Sequence, residues 1–205
     1  MKIAQIANWL GSVHHGLPKD LYQFHPEAED YVVFLGRICP EKGVDRAIEI
    51  AIRVGMPLKI AAKVDAVDQA YFERRIRRLL DHPLVDFIGD LLGKARALLF
   101  PIDWPEPFGL TMIEAMACGT PVIAYRHGSV PKIIETGVNG FIVNSVEEAV
   151  IALRNLDSIQ RGRCRQIFEQ RFTSQQMASA YLSIYQKLAQ EGRDEDDGRF
   201  SPKAA

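Results

Sequence analysis

The densest chemistry in the chain lies between Pro101 and Val122, which reads PIDWPEPFGLTMIEAMACGTPV. Its spacing predicts a Pro-rich loop holding Asp103, Trp104 and Glu106, then a helix that begins near Phe108 and ends at Gly119. Backbone N–H groups near Phe108, Gly109, Leu110 and Thr111 have no partner inside such a helix, so they present partial positive charge to an anion. This is a cradle for a phosphate or a sugar. Glu106 and Glu114 stand eight residues apart, one on the loop and one about two turns down the helix, where they can address opposite ends of a polar ligand. The same pair also reads as a solvated loop charge and a satisfied helix residue, and spacing alone leaves both open.

A second cluster, Gly36, Arg37, Ile38, Cys39, Pro40, Glu41, Lys42 and Gly43, falls between the first strand and its helix. Two cations in such a glycine-bounded loop can hold a diphosphate and counter the charge that grows as it leaves. Taken alone, such a pair is usually no more than two ordinary surface cations. Placed on the same sheet rim as the carboxylates, they form what a nucleotide bearing a polyol needs.

These residues need a scaffold, and short apolar runs alternating with helix-period segments supply it. Strands are expected at Tyr31 to Leu35, Leu58 to Ala62, Val85 to Ile88, Ala97 to Phe100, Val122 to Tyr125 and Gly140 to Val143. Val44, Ala47, Ile48, Ala51 and Ile52 recur at helical spacing, as do Phe72, Ile76, Leu79 and Leu80. Ser145 and Glu148 form a capping box that opens a helix through Leu153. Met177, Tyr181, Ile184, Tyr185 and Leu188 define a last long helix. The fold class is therefore α/β: a Rossmann-like parallel sheet of about six strands with helices on both faces. Residues 1–30 are read as a strand, Met1 to Ala7, plus a linker; residues 31–190 as the ligand-binding domain; residues 191–205 as a disordered tail.

Composition narrows the partners. With 205 residues, 47% hydrophobic, and Lys+Arg 25 against Asp+Glu 26, the formal net charge of −1 argues against bulk phosphate neutralisation of nucleic acid. Three cysteines, Cys39, Cys118 and Cys164, lack CxxC spacing, so free thiols and a cytoplasmic protein are expected, at most peripheral to a membrane. His14 and His15 lie in the linker without a companion ligand, and no metal site is expected. Asp194 and Asp196 make a D-x-D in the tail with no fold around it. Arg74, Arg75, Arg77 and Arg78 form either a solvated helix face or a peripheral membrane contact.

GRICPEKG, then EPFGLTMIEAMACGTPVIA, then GSVPKIIETGVNGFIV together resemble the donor-binding half of the family 4 (group 1) retaining glycosyltransferases with the two-domain GT-B fold. The resemblance runs from about Asn8 to about Leu188 and centres on the Glu-x7-Glu element. It implies a nucleoside-diphosphate sugar donor and glycosyl transfer with retained anomeric configuration, without a cofactor. By position it assigns Arg37 and Lys42 to the donor diphosphate, Glu114 to the ribose hydroxyls and Glu106 to the donor sugar; Gly36 belongs to the same glycine-bounded loop. It assigns Phe108, Gly109, Leu110 and Thr111 to sugar and phosphate, and Phe87, Ile88 and Gly89 to the neighbourhood of the base. Glu106, Arg37 and Lys42 are thereby the groups that act at the reacting centre. The step implied is a front-face displacement in which the leaving phosphate helps deprotonate the acceptor, with no Ser/His/Asp triad.

Two departures accompany the resemblance. Ala7 joins Asn8 directly where the family builds an acceptor-binding domain, and Asp90 abuts Leu91 where the family has a loop and the opening turns of a helix. The acceptor domain is therefore read as absent, and one wall of the base pocket with it. A non-catalytic nucleotide-sugar-binding or partner-binding fragment is accordingly the alternative function. A hydride-transferring enzyme is disfavoured because GRICPEKG lacks GxGxxG. The acceptor stays unidentified. A homo-oligomer through the N-terminal strand or the C-terminal helix is expected to cover the apolar surfaces left over.

Overall fold

The computed structural model describes residues 10–87 and 92–199. Six parallel strands form one sheet: β1 Val32–Arg37, β2 Leu58–Lys63, β3 Val85–Phe87, β4 Ala97–Phe100, β5 Val122–Tyr125 and β6 Gly140–Val143, in the order β3-β2-β1-β4-β5-β6. The chain starts in the middle, builds outward to one edge, then returns to build the other. This leaves a reversal of direction between β1 and β4, the place where open α/β sheets bind ligands.

Alternation along the strands explains why helices cover both faces. In β1, Val32 and Phe34 pack into one cluster with Ala47, Ile48 and Ala51 of α1 (Val44–Val54). Val33 faces the opposite cluster with Leu98 and Phe100 of β4. That second cluster is closed by α3 (Leu110–Cys118), by Val130 and Ile133 of α4 (Val130–Ile133), and by Ile167 and Phe168 of α6 (Arg161–Arg171). The first is closed by Ala149, Ala152 and Leu153 of α5 (Val146–Arg154).

Some expectations need adjusting. The first strand begins one residue later and runs two further, so Gly36 and Arg37 are strand residues paired with Ala62 and Lys63, and the loop is only Ile38 to Gly43. Phe72 to Leu80 is no regular α-helix: a short α2 (Gln69–Tyr71) leads into a π turn over Phe72–Ile76 and then a 3-10 segment over Arg77–Asp81. Underwound then overwound backbone still brings Tyr71, Phe72, Ile76, Leu79 and Leu80 against the α1 cluster. The capping box is half realised. Ser145 Oγ accepts from the Glu148 N–H at 3.2 Å, but the Glu148 carboxylate reaches past Ser145 to the Asn144 N–H at 2.7 Å.

The last helix, α7 (Ser174–Arg199), continues as helical backbone where a disordered tail is expected from Glu191. Along it Tyr181, Leu182, Tyr185 and Leu188 are exposed. Met1 to Ala7, Ile88, Gly89 and the Asp90–Leu91 junction lie outside the described residues, as do the side chains of Phe87, Asp194 and Asp196.

Candidate functional site

The two expected clusters converge at the reversal point, because the loop after β1 and the loop after β4 leave adjacent strands side by side. They are joined by backbone: the Asp103 N–H donates to the Glu41 carbonyl at 2.7 Å. Gly43 makes this approach possible, since its φ is +68° and a Cβ there would lie 2.2 Å from the Pro101 carbonyl oxygen. Lys42 is thereby aimed across the gap, and its Nζ donates to Glu106 Oε2 at 2.7 Å. These two side chains are 29% and 18% exposed, so the pair sits at the mouth of a cleft rather than in bulk water.

Arg37, Glu41, Lys42, Trp104 and Glu106 line that cleft, which encloses about 280 Å³. Arg37 enters from the end of β1 and is held by Asp65, with NH1 3.5 Å from Oδ2, and by Asp68, with Nε 3.3 Å from Oδ2. That Asp68 oxygen is buried and accepts no hydrogen bond, so the contact is Coulombic. Both expected cations are therefore in the cleft, each balanced by a carboxylate.

The cradle at α3 starts later than expected, at Leu110, with Gly109 as its cap; Phe108 belongs to the loop. The Thr111 hydroxyl at this helix start is buried with no hydrogen-bond partner, and such a group costs free energy until something fills the position. Glu114, half-buried one turn on, has neither hydrogen bond nor ion pair among the described residues. Leu110 is exposed. Of the residues assigned to the base, only the Phe87 backbone is described, paired with Ile60 at the end of β3.

Sequence reading passed over the groups that hold this loop in shape. Ser129 is buried, its N–H donates to the Glu106 carbonyl at 2.9 Å, and its hydroxyl donates to the Phe108 carbonyl at 2.7 Å. Gly128 must be glycine, because a Cβ would meet the Glu106 backbone at 2.3 Å. Arg46 binds Asp103 Oδ2 at 2.6 Å and the Pro101 carbonyl at 3.2 Å; the guanidinium holds the Asp103 carboxyl below the usual carboxylate range. The signal for Ser129 was present in GSVPK, a Gly-Ser before a Pro-started helix, but no local pattern says which loop it supports.

His14 and His15 are not loose linker residues. His14 packs between Phe108 and Phe172, with ring centroids 6.0 and 5.6 Å away, and His15 meets Phe108 edge-on at 5.0 Å. Among the described residues no three His, Cys, Asp or Glu side chains are grouped to hold a metal ion, and no helix is long and apolar enough to cross a membrane. Cys39, Cys118 and Cys164 are buried free thiols, and burial pushes Cys164 up to about 12. Arg75 and Arg77 are engaged locally, by Asp45 at 3.7 Å and Glu73 at 3.3 Å.

A doubly wound sheet thus carries a cationic loop, a Glu-x7-Glu element and an open helix start at its reversal point, where such sheets bind polar ligands. The family model for glycosyl transferases group 1 matches residues 22–167, and the chain belongs to that family. It is 30% identical over 123 residues to an N-acetyl-alpha-D-glucosaminyl L-malate synthase of Bacillus anthracis, covering 56% of this chain and 31% of the relative. Its fold matches that of Anabaena Alr3699/HepE, solved in complex with UDP and glucose, with a TM-score of 0.69 at 22% identity over 89% of this chain and 56% of that one. It also matches the C-terminal domain of a glycosyl transferase group 1 family protein (LpcC) from Francisella tularensis, with a TM-score of 0.63 at 19% identity, over 78% of this chain and all of that one. The chain thus spans about a third of the curated relative and a little over half of the HepE chain.

Proposed function

We propose that the chain binds a nucleoside-diphosphate sugar and serves as the donor-binding unit in glycosyl transfer with retention of configuration. The observation that carries this is the meeting of Lys42 and Glu106 at 2.7 Å, beside a buried, unpartnered Thr111 hydroxyl and an unpaired Glu114. A diphosphate would draw the Lys42 ammonium and the Arg37 guanidinium, the ribose would hydrogen-bond Glu114, and the sugar would take Glu106. The HepE neighbour, solved with UDP and glucose, supports a nucleotide sugar as the ligand.

In the step itself the bond from the anomeric carbon to the leaving phosphate breaks, and one to the acceptor oxygen forms on the same face. The acceptor proton passes to the departing phosphate. Lys42 and Arg37 stabilise the charge that collects there. The site is cytoplasmic in this reading and needs no cofactor.

Calorimetry of the full chain with UDP, GDP and ADP and their sugar conjugates tests the proposal. Saturable heat with one nucleotide family is expected. No heat with any of the three at millimolar concentration would sink it.

A further inference from the structure

A second pocket, of about 200 Å³, lies where the linker packs against Pro107 and Phe108 of the loop that carries Glu106. His14, His15, Phe108, Ser129 and Lys132 are among its lining residues, and no Asp or Glu lines it. The exposed Lys132 ammonium has no carboxylate partner among the described residues; its hydrogen bonds are made by the backbone, the N–H donating to the Ser129 carbonyl at 2.9 Å and the carbonyl accepting from Arg171 at 2.6 Å. Neither imidazole hydrogen-bonds to a protein group among the described residues. Their rings are fixed by aromatic packing while their N–H edges remain available.

The charges around His14 make the pocket cationic. Lys132 lines it from α4, and Arg171 at the end of α6, paired with Glu135 at 2.6 Å, acts on His14 from outside the lining. The carboxylate on the neighbouring loop, Glu106, is turned to Lys42. Burial first, and then the Arg171 and Lys132 charges, hold His14 below its ordinary value of 6.5. The volume exceeds the roughly 30 Å³ share of one water several-fold, leaving room for an oxyanion and part of what carries it.

We infer that this pocket receives an oxyanion, phosphate or carboxylate, carried by the acceptor of the glycosyl group. Its acceptor role rests on the function proposed above; the anion site itself does not. The pocket and the Glu106 cleft share one loop, and Ser129 clamps both sides of it through the Glu106 and Phe108 carbonyls. An anionic group anchored under Phe108 would therefore present a neighbouring hydroxyl toward a sugar held at Glu106. The anion accepts hydrogen bonds from Lys132 and from the histidine N–H groups, and it offsets the Arg171 field.

The test follows the histidine side-chain resonances of the full chain at about pH 6 while inorganic phosphate, and separately succinate, are added. Saturable shifts of His14 and His15 are expected, with His14 titrating at higher pH once the anion is bound. Whichever anion binds more tightly names the acceptor class. Lys132→Glu should weaken anion binding at least roughly tenfold, with Lys132→Gln intermediate, while both leave UDP affinity unchanged. Histidines unmoved by tens of millimolar of either anion would overturn the inference. So would a Lys132→Glu variant that loses UDP affinity as strongly as anion affinity. Phosphate-shifted histidines in a chain that binds no nucleotide would keep the anion site and remove the donor reading; bound UDP with silent histidines would do the reverse.

Discussion

Lys42 is claimed by two partners, Glu106 in the free protein and the diphosphate in the complex, and this competition fixes the sign of three variants. Lys42→Ala removes a charge-assisted donor, worth about 1.5–3 kcal/mol to a bound diphosphate. It also strands Glu106, only 18% exposed, beside the phosphates. At a separation of about 6 Å and an effective dielectric of roughly 60, that repulsion adds on the order of 1 kcal/mol. UDP affinity should therefore fall roughly 10²- to 10³-fold, while a nucleoside without phosphates is barely affected. Glu106→Gln has the opposite sign: it releases Lys42, tightening UDP several-fold, yet weakens the UDP-sugar relative to UDP. In Lys42→Ala/Glu106→Gln the repulsion is gone and about 1 kcal/mol returns, so the two changes are non-additive. Calorimetry of the three variants and the parent chain, with whichever nucleotide binds most tightly in place of UDP, reads all of this. If Glu106→Gln weakens the nucleotide as much as Lys42→Ala does, the ion pair is not the competitor and the reasoning fails.

Gly43→Ala combines a left-handed backbone with a Cβ 2.2 Å from the Pro101 oxygen; a loss of about 2–4 kcal/mol in urea unfolding is expected, and one below about 1 kcal/mol would show that the loops can part freely. Arg161→Ala deprives the carbonyls of His25, Gly93 and Ala95 and the Thr120 hydroxyl of a shared donor; a comparable loss, with faster amide exchange in the linker, is expected, and unchanged exchange there would refute the role. Because His14 lies below 6.5 in the native state, the unfolded chain binds the proton first as pH falls. Its contribution is thus fully present above pH 6.5 and is lost as pH drops through the lowered native value. His14→Gln should flatten the urea midpoint between about pH 7.5 and 5, and an identical slope would refute this.

The sheet was legible because parallel central strands announce themselves as short apolar runs, and five of the six candidates, those from Leu58, Val85, Ala97, Val122 and Gly140, begin at the observed residue. The α6 helix was not, because RGRCRQIFEQR buries only Cys164, Ile167 and Phe168, too few for a period to show against its arginines. Those arginines are structural: Arg165 donates to the Tyr22, Ala117 and Lys19 carbonyls, bonds that join residues up to 146 positions apart and leave no local trace. The site divides in the same way. Glu106, Glu114, Arg37 and Lys42 could be picked out by type and position, but their pairing could not, since Lys42 and Glu106 meet only because Gly43 lets two loops touch. Likewise the exposed apolar side of α7 could be read from its heptad-like spacing, whereas what covers it is not written in the helix.

One contact near the start of the described chain sets how the unit can move as a body. Leu17 pairs with the Phe172–Ser174 strand-like turn through two bonds, Leu17 N–H to Phe172 and Ser174 N–H to Leu17, each 2.9 Å. The incoming linker and the outgoing α7 therefore leave the sheet at the same corner, tied by a pin only two hydrogen bonds wide. Whatever is joined to either end departs from that corner, and beyond the pin the linker is held on α6 by Arg165 at the Lys19 and Tyr22 carbonyls and by Arg161 at the His25 carbonyl. A rotation there carries the linker and α7 together, and it bears directly on His14, Phe172 and Phe108, which stack beside the pin. The corner where both ends leave is thus in side-chain contact with the loop holding Glu106, a connection that does not pass through the sheet.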